Sequence, residues 1–370
     1  MEAGFGAIQV SSDGGSLLLR ETDRRINLLG RLASCFTDGR SPLLVRHRLS
    51  EMLSQRIYGL ALGYEDLNDH EQLRADPLLA VLSGKRELDQ PLAGKSTLNR
   101  LELVGRTGRY HKIGYSSEAL DRLLVDLFVE SHATPPTQIV LDLDATDIPL
   151  YGHQPERFFH GYYDSYCYLP LYIFAGDQLL SARLRPANQD AAAGAVEEVR
   201  RIVTQLRERW PEVKIVLRAD SGFCLPSLTA QQWAAQDLYE KFYCARGEME
   251  NRIKEQMCLF ADRLSTDEMK GNQLRLYFSA LAYTLMEALR RLGLKGTEWA
   301  QAQVNTIRLK LLKIGAIVRI SVRRILLQLS AAYPWKQIYA HAFRALRSCP
   351  SPTLPPTLLP RAPVLGPEEP

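Results

Sequence analysis

The sequence predicts a mixed α/β protein, in which a sheet-forming core is flanked by helical N- and C-terminal regions. Short apolar runs separated by turn residues alternate with one amphipathic helix between residues 138 and 220. Residues 20–60 and 272–292 instead show helical periodicity. A content of 46% hydrophobic and 24% charged residues is typical of a globular protein.

Composition also excludes several classes of protein. The net charge of +4 is small, so any nucleic-acid interpretation depends on where the charges lie. The six cysteines contain no Cys-x-x-Cys pair, which predicts reduced thiols and neither a zinc site nor a disulfide framework. No apolar run reaches the ~18 residues of a membrane span, and the N-terminus lacks a signal-peptide pattern. We therefore expect a cytoplasmic protein with no membrane partner.

Residues 1–133 are interpreted as a mainly helical region that binds DNA. Basic side chains gather in its second half: Lys85, Arg86, Lys95, Arg100, Arg106, Arg109 and Lys112. Such a cluster is equally typical of an ordinary solvated surface. The run Gly94-Lys95-Ser96 resembles the end of a phosphate-binding loop, but Asp89 stands where that loop requires glycine. Nucleotide binding is therefore not predicted here.

The predicted catalytic core spans residues 138–260 and follows a linker with tandem prolines at positions 135 and 136. Strands are predicted over residues 139–144, 168–174, 179–184 and 214–220. A helix with an apolar stripe from Val196 to Trp210 precedes the fourth strand. Three strands, a helix and a strand that crosses back beside the first are the start of a ribonuclease-H-like sheet.

Two aspartates end strands of this core, and a glutamate lies on a later helix. Asp144 and Asp220 each close an apolar strand, the position where sheets of this type present ligands. Two nearby carboxylates repel each other, and a divalent metal ion relieves that repulsion. A third carboxylate, from Glu250, would allow two magnesium ions to be held ~3.5–4 Å apart for attack on a phosphodiester. Asp142 shares a face with Asp144 and remains an alternative ligand.

The glutamate lies in a ladder of residues spaced three or four apart: Tyr243, Arg246, Glu250 and Lys254. On a helix these four side chains project from one face. The same pattern is typical of a solvated helix surface, so the functional interpretation depends on whether Glu250 meets the two aspartates.

The C-terminal part of the core, residues 261–346, is predicted to be helical and basic. Helices are expected over residues 272–292 and 307–329. Residues 301–330 contain no acidic side chain. They contain the cations Arg308, Lys310, Lys313, Arg319, Arg323 and Arg324. Residues 347–370 are rich in proline and are expected to form a disordered tail.

Five separated blocks of the sequence, in order, resemble the DDE transposases of bacterial insertion sequences, specifically the thirteen-eighty family. These blocks are residues 141–147, 158–171, 217–223, 243–256 and 305–315. The resemblance implies a ribonuclease-H-like core, dependence on Mg²⁺ or Mn²⁺, and cut-and-join chemistry at terminal inverted repeats. It also implies target DNA as a second DNA partner and a homodimer assembled on DNA.

The same resemblance implies roles for individual residues. Asp144, Asp220 and Glu250 would be the catalytic, metal-binding triad. Tyr243 and Arg246 would contact DNA near the scissile phosphate, and Lys254 is a further candidate for DNA contact. The family pattern places a lysine seven residues after the glutamate, where this chain has Met257.

The core is shorter than the family pattern between residues 221 and 242, where a strand and a β-rich insertion are expected. If residues 227–250 formed one helix, Glu250 would lie ~35 Å from its start. The alternative prediction is therefore a catalytically impaired deletion derivative that only binds DNA. A further alternative is a haloacid-dehalogenase-type phosphohydrolase, because Asp142-Leu-Asp144-Ala-Thr146 matches the opening pattern of that class.

Overall fold

A computed structural model of the chain describes residues 9–85, 90–103, 111–219, 223, 247–321 and 324–348. The predicted site residues Asp220, Tyr243 and Arg246 lie outside these ranges. So do the shortened segment, apart from Phe223, and the proline-rich tail from position 349.

The N-terminal region is mainly helical, as predicted, and is built around one central helix. Its elements are β1 (Val10–Ser11), α1 (Leu17–Ile26), α2 (Leu28–Ser34), β2 (Phe36–Asp38), α3 (Leu49–Leu62), α4 (His70–Leu73), α5 (Pro77–Leu82), α6 (Lys95–Glu102), β3 (Ile113–Tyr115) and α7 (Ser117–Glu130). Every residue of α3 from Glu51 to Leu62 is buried. Ser116 caps α7, because its hydroxyl accepts a hydrogen bond from the amide of Ala119 at 3.1 Å.

The predicted strands and their connecting helix are confirmed in the middle of the chain. The elements are β4 (Gln138–Ala145), β5 (Ile148–Pro149), β6 (Phe158–His160), β7 (Ser165–Tyr168), β8 (Leu171–Ala175), β9 (Gln178–Arg183), α8 (Ala195–Arg209) and β10 (Lys214–Ala219). One sheet has the order β10-β4-β8-β9, in which β4 pairs in parallel with β10 and antiparallel with β8. A smaller sheet has the order β5-β7-β6.

The C-terminal region combines helices with a β-hairpin. Its elements are α9 (Gly247–Cys258), α10 (Met269–Ala288), α11 (Val304–Ile307), β11 (Ala316–Ile320), β12 (Ile325–Leu329) and α12 (Lys336–Ser348). The helix predicted over residues 272–292 is confirmed as α10. No helix in the described ranges is long and apolar enough to cross a membrane.

The prediction of one helix over residues 307–329 is correct only as far as Leu312, and the helical prediction for residues 261–346 is wrong for the two strands that follow. β11 and β12 pair antiparallel there, and Ile317 of β11 also pairs with Val10 of β1. The sequence contains the reason: Gly315 disfavours a continuing helix, and β-branched residues such as Val318 and Ile320 favour strands. The boundary of the tail is also two residues early, because α12 extends to Ser348.

The two faces of the main sheet contact different helices. Leu141, Leu143 and Ile173 belong to a core that also contains residues of α7 and α8. Successive strand residues alternate between faces, so Asp142 and Asp144 lie on the opposite face. Phe174, directly opposite Asp142, packs edge-on against Tyr283 of α10 with ring centroids 5.9 Å apart. Both aspartates therefore lie on the α10 side of the sheet.

Candidate functional site

Asp144 lies near the carboxyl end of β4, one of the two central strands of the sheet. Its residue is only 8% exposed, and its Oδ1 accepts a hydrogen bond from the amide of Ala145 at 2.9 Å. Tyr172 of β8 lies directly opposite and is fully buried, which raises the pKa of its phenol above the usual range. The structure thus holds one carboxylate at the strand end that the sequence indicated.

Asp142 is engaged in an ion pair within the sheet. It is 3% exposed and lies opposite Arg218 in the parallel pairing of β4 with β10. The Arg218 guanidinium donates to both carboxylate oxygens, through Nε to Oδ1 and through Nη2 to Oδ2, the latter at 2.7 Å. Such a two-point arginine–carboxylate contact is geometrically specific. Both oxygens of Asp142 are therefore bound within the sheet.

The strand that leads to Asp220 is confirmed up to the residue before it. β10 pairs with β4 from Lys214 opposite Gln138 to Ala219 opposite Leu143. Asp220 follows directly but lies outside the described residues.

The glutamate of the predicted ladder lies on α9 and is exposed. Glu250 and Lys254 are one helical turn apart and both are exposed, as expected for residues on one helix face. Met249 and Ile253 are 2% and 6% exposed and form the buried side of the same helix. The structure thus describes two of the four residues of the ladder, and both lie on the surface.

A buried ion pair that sequence reasoning missed fixes α9 in the molecule. Glu255 is 4% exposed, and Arg290 donates to both of its oxygens at distances between 2.8 and 3.0 Å. The amide of Val304 also donates to Glu255, at 2.9 Å. Glu255 follows Lys254 directly in the sequence, but no local pattern identifies a partner 35 residues further on.

A second ion pair ties α9 to the main sheet. Nη2 of Arg252 lies 2.7 Å from Oδ1 of Asp177, in the turn between β8 and β9. Tyr172, opposite Asp144, lies towards the other end of β8, about 10 Å from the last residue of the strand at ~3.3 Å per strand residue. The contact of α9 with the sheet is therefore at the end remote from Asp144, and Glu250 precedes Arg252 by only two residues.

The described part of the chain does not by itself form a metal site. No group of three His, Cys, Asp or Glu side chains there could hold a metal ion. Asp144 offers a carboxylate at the end of a strand. The carboxylate of Asp142 is instead bound by Arg218, and Glu250 is exposed on α9.

Comparison with known families gives a direct result. The family described as transposase DDE domain, group 1, matches residues 1–232 and 227–351, which together cover nearly the whole chain. No curated protein and no solved structure matches this chain. The mixed α/β fold agrees with this family. The chain belongs to the DDE transposases.

Proposed function

We propose that this transposase is encoded by an insertion sequence of the thirteen-eighty family. In this proposal it cleaves DNA at terminal inverted repeats and joins the freed end to target DNA, as a homodimer assembled on DNA. The observation that carries the proposal is the family match over nearly the whole chain. The five sequence blocks that resemble the thirteen-eighty family support the finer assignment.

The proposed core is ribonuclease-H-like. The supporting observation is the strand order β10-β4-β8-β9, in which the strand after α8 pairs in parallel with β4. In this arrangement the carboxyl ends of β4 and β10 lie at one edge of the sheet. Carboxylates from both strands would therefore meet there.

The proposed triad is Asp144, Asp220 and Glu250. The ion pair between Asp142 and Arg218 supports Asp144 as the ligand from β4, because both oxygens of Asp142 are already bound. Two Mg²⁺ or Mn²⁺ ions held by the triad would neutralise the charge that develops during in-line attack on the phosphodiester. The protein would hold the three carboxylates close together and keep the DNA strand in position at the metal ions.

Residues of the glutamate ladder would contact the DNA near the scissile phosphate. Tyr243, Arg246 and Lys254 are the candidates. Lys254 is exposed one helical turn after Glu250 and is free to approach a phosphate from the same helix face.

The test is strand cleavage of DNA that carries the ends of the element, in the presence of Mg²⁺. Asp144→Asn removes a charged ligand with little change in shape, so we expect at least a 100-fold loss of cleavage with DNA binding retained. The exposed Asp267→Asn is a matched control and should cut like the parent. Cleavage by Asp144→Asn at the parental rate would refute the assignment.

A second candidate function is that of a deletion derivative that binds the inverted repeats but does not cut. Two observations favour it. α9 contacts the sheet at the turn remote from Asp144. The family match also falls into two pieces that meet at residues 227–232, as expected for a chain lacking an internal stretch of the domain. Binding to the inverted repeat without metal-dependent nicking would support this candidate, and robust nicking would exclude it.

The phosphohydrolase alternative has lost its support. Such an enzyme would use Asp142 as a nucleophile, but Arg218 donates to both of its carboxylate oxygens. The family match also places Asp142-Leu-Asp144-Ala-Thr146 within a transposase DDE domain.

A further inference from the structure

An open cavity in the N-terminal region is lined mainly by cations. Its volume is about 580 Å³, and it lies between the segment before α3, the helix α4 and the start of α6. Five basic side chains line it: Arg40, Arg46, Arg74, Lys95 and Arg100. Glu71 is the acidic residue of the lining. These cations come from separate segments of the chain: the sequence grouped Lys95 with Arg100, but not with Arg40, Arg46 and Arg74.

The ion pairs around the cavity do not balance its positive charge. Asp38, which does not line the cavity, holds Arg40 through two contacts of 2.7 and 2.8 Å. Glu71 accepts a hydrogen bond from the amide of Lys95 at 2.8 Å and lies 3.6 Å from Arg74. No ion-pair partner of Arg46 is found among the described residues, and Arg46 is exposed. An excess of positive charge therefore faces the cavity.

A buried, uncharged histidine lies beside these cations. His47 is 7% exposed, and its Nδ1 has no hydrogen-bond partner among the described residues. Burial lowers the pKa of His47 to about 4, and nearby cations, Lys85 first and then Arg46, contribute to the shift. The imidazole is therefore neutral at pH 7.

We propose that this cavity binds the phosphate backbone of DNA. Exposed cations such as Arg46, which has no ion-pair partner among the described residues, and Lys95, whose ammonium donates to the neutral Asn68, are suited to phosphate oxygens. The volume of about 580 Å³ and the cations from three separate segments favour several phosphates of one strand over a single small anion. The proposal rests on the function proposed above and names the surface through which the N-terminal region would hold the inverted repeat.

The start of α6 contributes little to this site. The amide of Lys95 already donates to the Glu71 carboxylate, so an anion at this helix end would compete with Glu71. This agrees with the sequence prediction that Gly94-Lys95-Ser96 is not a nucleotide-binding loop. The side chains, and not the helix terminus, would make the phosphate contacts.

The experiment measures DNA affinity of the full chain at several salt concentrations, with a duplex carrying the inverted repeat and an unrelated duplex. The test variant is Arg46→Ala with Lys95→Ala, because both side chains are exposed and their loss should not disturb folding. The control, Lys336→Ala with Arg344→Ala on α12, removes the same charge from another exposed surface.

We expect the test variant to bind both duplexes more weakly, by roughly fivefold for each lost phosphate contact near physiological salt. The slope of log affinity against log salt should fall by roughly two, and the control should keep the parental slope. Parental affinity and slope in the test variant would overturn the cavity assignment and leave the proposed function standing. No DNA binding by the parent would overturn both.

A further arm separates DNA from a small anion. Inorganic phosphate, added at constant ionic strength, should not displace the duplex if several phosphates of one strand occupy the cavity. Displacement at low phosphate concentration would show a single-phosphate pocket and overturn the proposal.

Discussion

The Asp144 end of β4 and the helix α9 differ in what positions them. Asp144 is placed by pairing on both sides of its strand, with β10 and with β8, and by an apolar opposite face. α9 is placed by a short apolar side, with Met249 and Ile253 in the core, and by the ion pairs of Glu255 with Arg290 and Arg252 with Asp177. The first carboxylate therefore depends on regular sheet geometry, and the position of Glu250 depends on particular side-chain contacts. Substitutions in β4 and in α9 should therefore differ in their effects on stability and on cleavage.

The largest expected effect on stability is on α9. Glu255→Ala leaves the Arg290 guanidinium buried without its partner and should lower the free energy of unfolding by about 3–5 kcal/mol. Glu250→Ala, five residues earlier on the exposed side, should change it by less than about 0.5 kcal/mol. Urea denaturation measures both variants. Equal losses in the two would contradict the placement of α9.

Acid should destabilise the N-terminal region, because a histidine is buried there beside α3. His70 is fully buried behind α3, and burial lowers its pKa to about 4. The stability due to neutral His70 is complete above its unfolded pKa of ~6.5 and is lost as the pH falls towards 4. His70 alone should contribute a loss of about 2 kcal/mol at pH 5, read as the difference in urea midpoints between the parent and a variant without this histidine.

The control for this pH dependence is His70→Gln. Glutamine does not titrate, so the variant should lose stability less steeply than the parent between pH 7 and 5. The remaining dependence comes from groups such as His47 and from Asp23, whose pKa burial raises to about 6. The same pH dependence in the parent and in His70→Gln would contradict the burial of His70.

Substitution of Asp142 should reduce the stability of the protein more than substitution of Asp144, although Asp144 is the residue proposed to act in catalysis. Asp142→Ala leaves Arg218 without its carboxylate and should cost about 2 kcal/mol, since that arginine keeps some access to water. Asp144→Asn should cost less than about 1 kcal/mol. Thermal or urea unfolding decides the order. A larger loss for Asp144→Asn would show that Asp144, not Asp142, carries the structural role.

The smallest effect is expected at the exposed contact between α9 and the β8–β9 turn. The Asp177 side chain is 44% exposed, so Asp177→Asn should cost no more than about 0.5 kcal/mol. If Glu250 must leave this position to join Asp144, loosening the contact should raise Mg²⁺-dependent cleavage about twofold. Slower cleavage in this variant would show that the contact supports the active arrangement.

The sequence predicted those parts of the fold that local patterns determine. The apolar runs of β4, β8, β9 and β10 and the stripe of α8 indicated the strand order, and the position of Asp144 followed from it. The hairpin β11–β12 was missed because its leucines and arginines also fit a helix, although Gly315 and several β-branched residues favoured strands.

Contacts between distant residues could not be predicted in the same way. The partners Glu255 and Arg290, or Asp142 and Arg218, are brought together only by packing of the elements that carry them. The basic cavity also combines residues from position 40 to position 100. Spacing along the chain indicates a face of a helix or strand but not what lies against that face.

The central claim is that Asp144, Asp220 and Glu250 meet at one metal site when the protein is bound to DNA. The most direct measurement replaces Mg²⁺ with Fe²⁺ on the DNA-bound chain and maps where hydroxyl radicals cut the polypeptide. Our account predicts cuts near residues 144, 220 and 250 together, all lost in Asp144→Asn. Cuts near residue 144 without cuts near residue 250, or a pattern unchanged by Asp144→Asn, would contradict it.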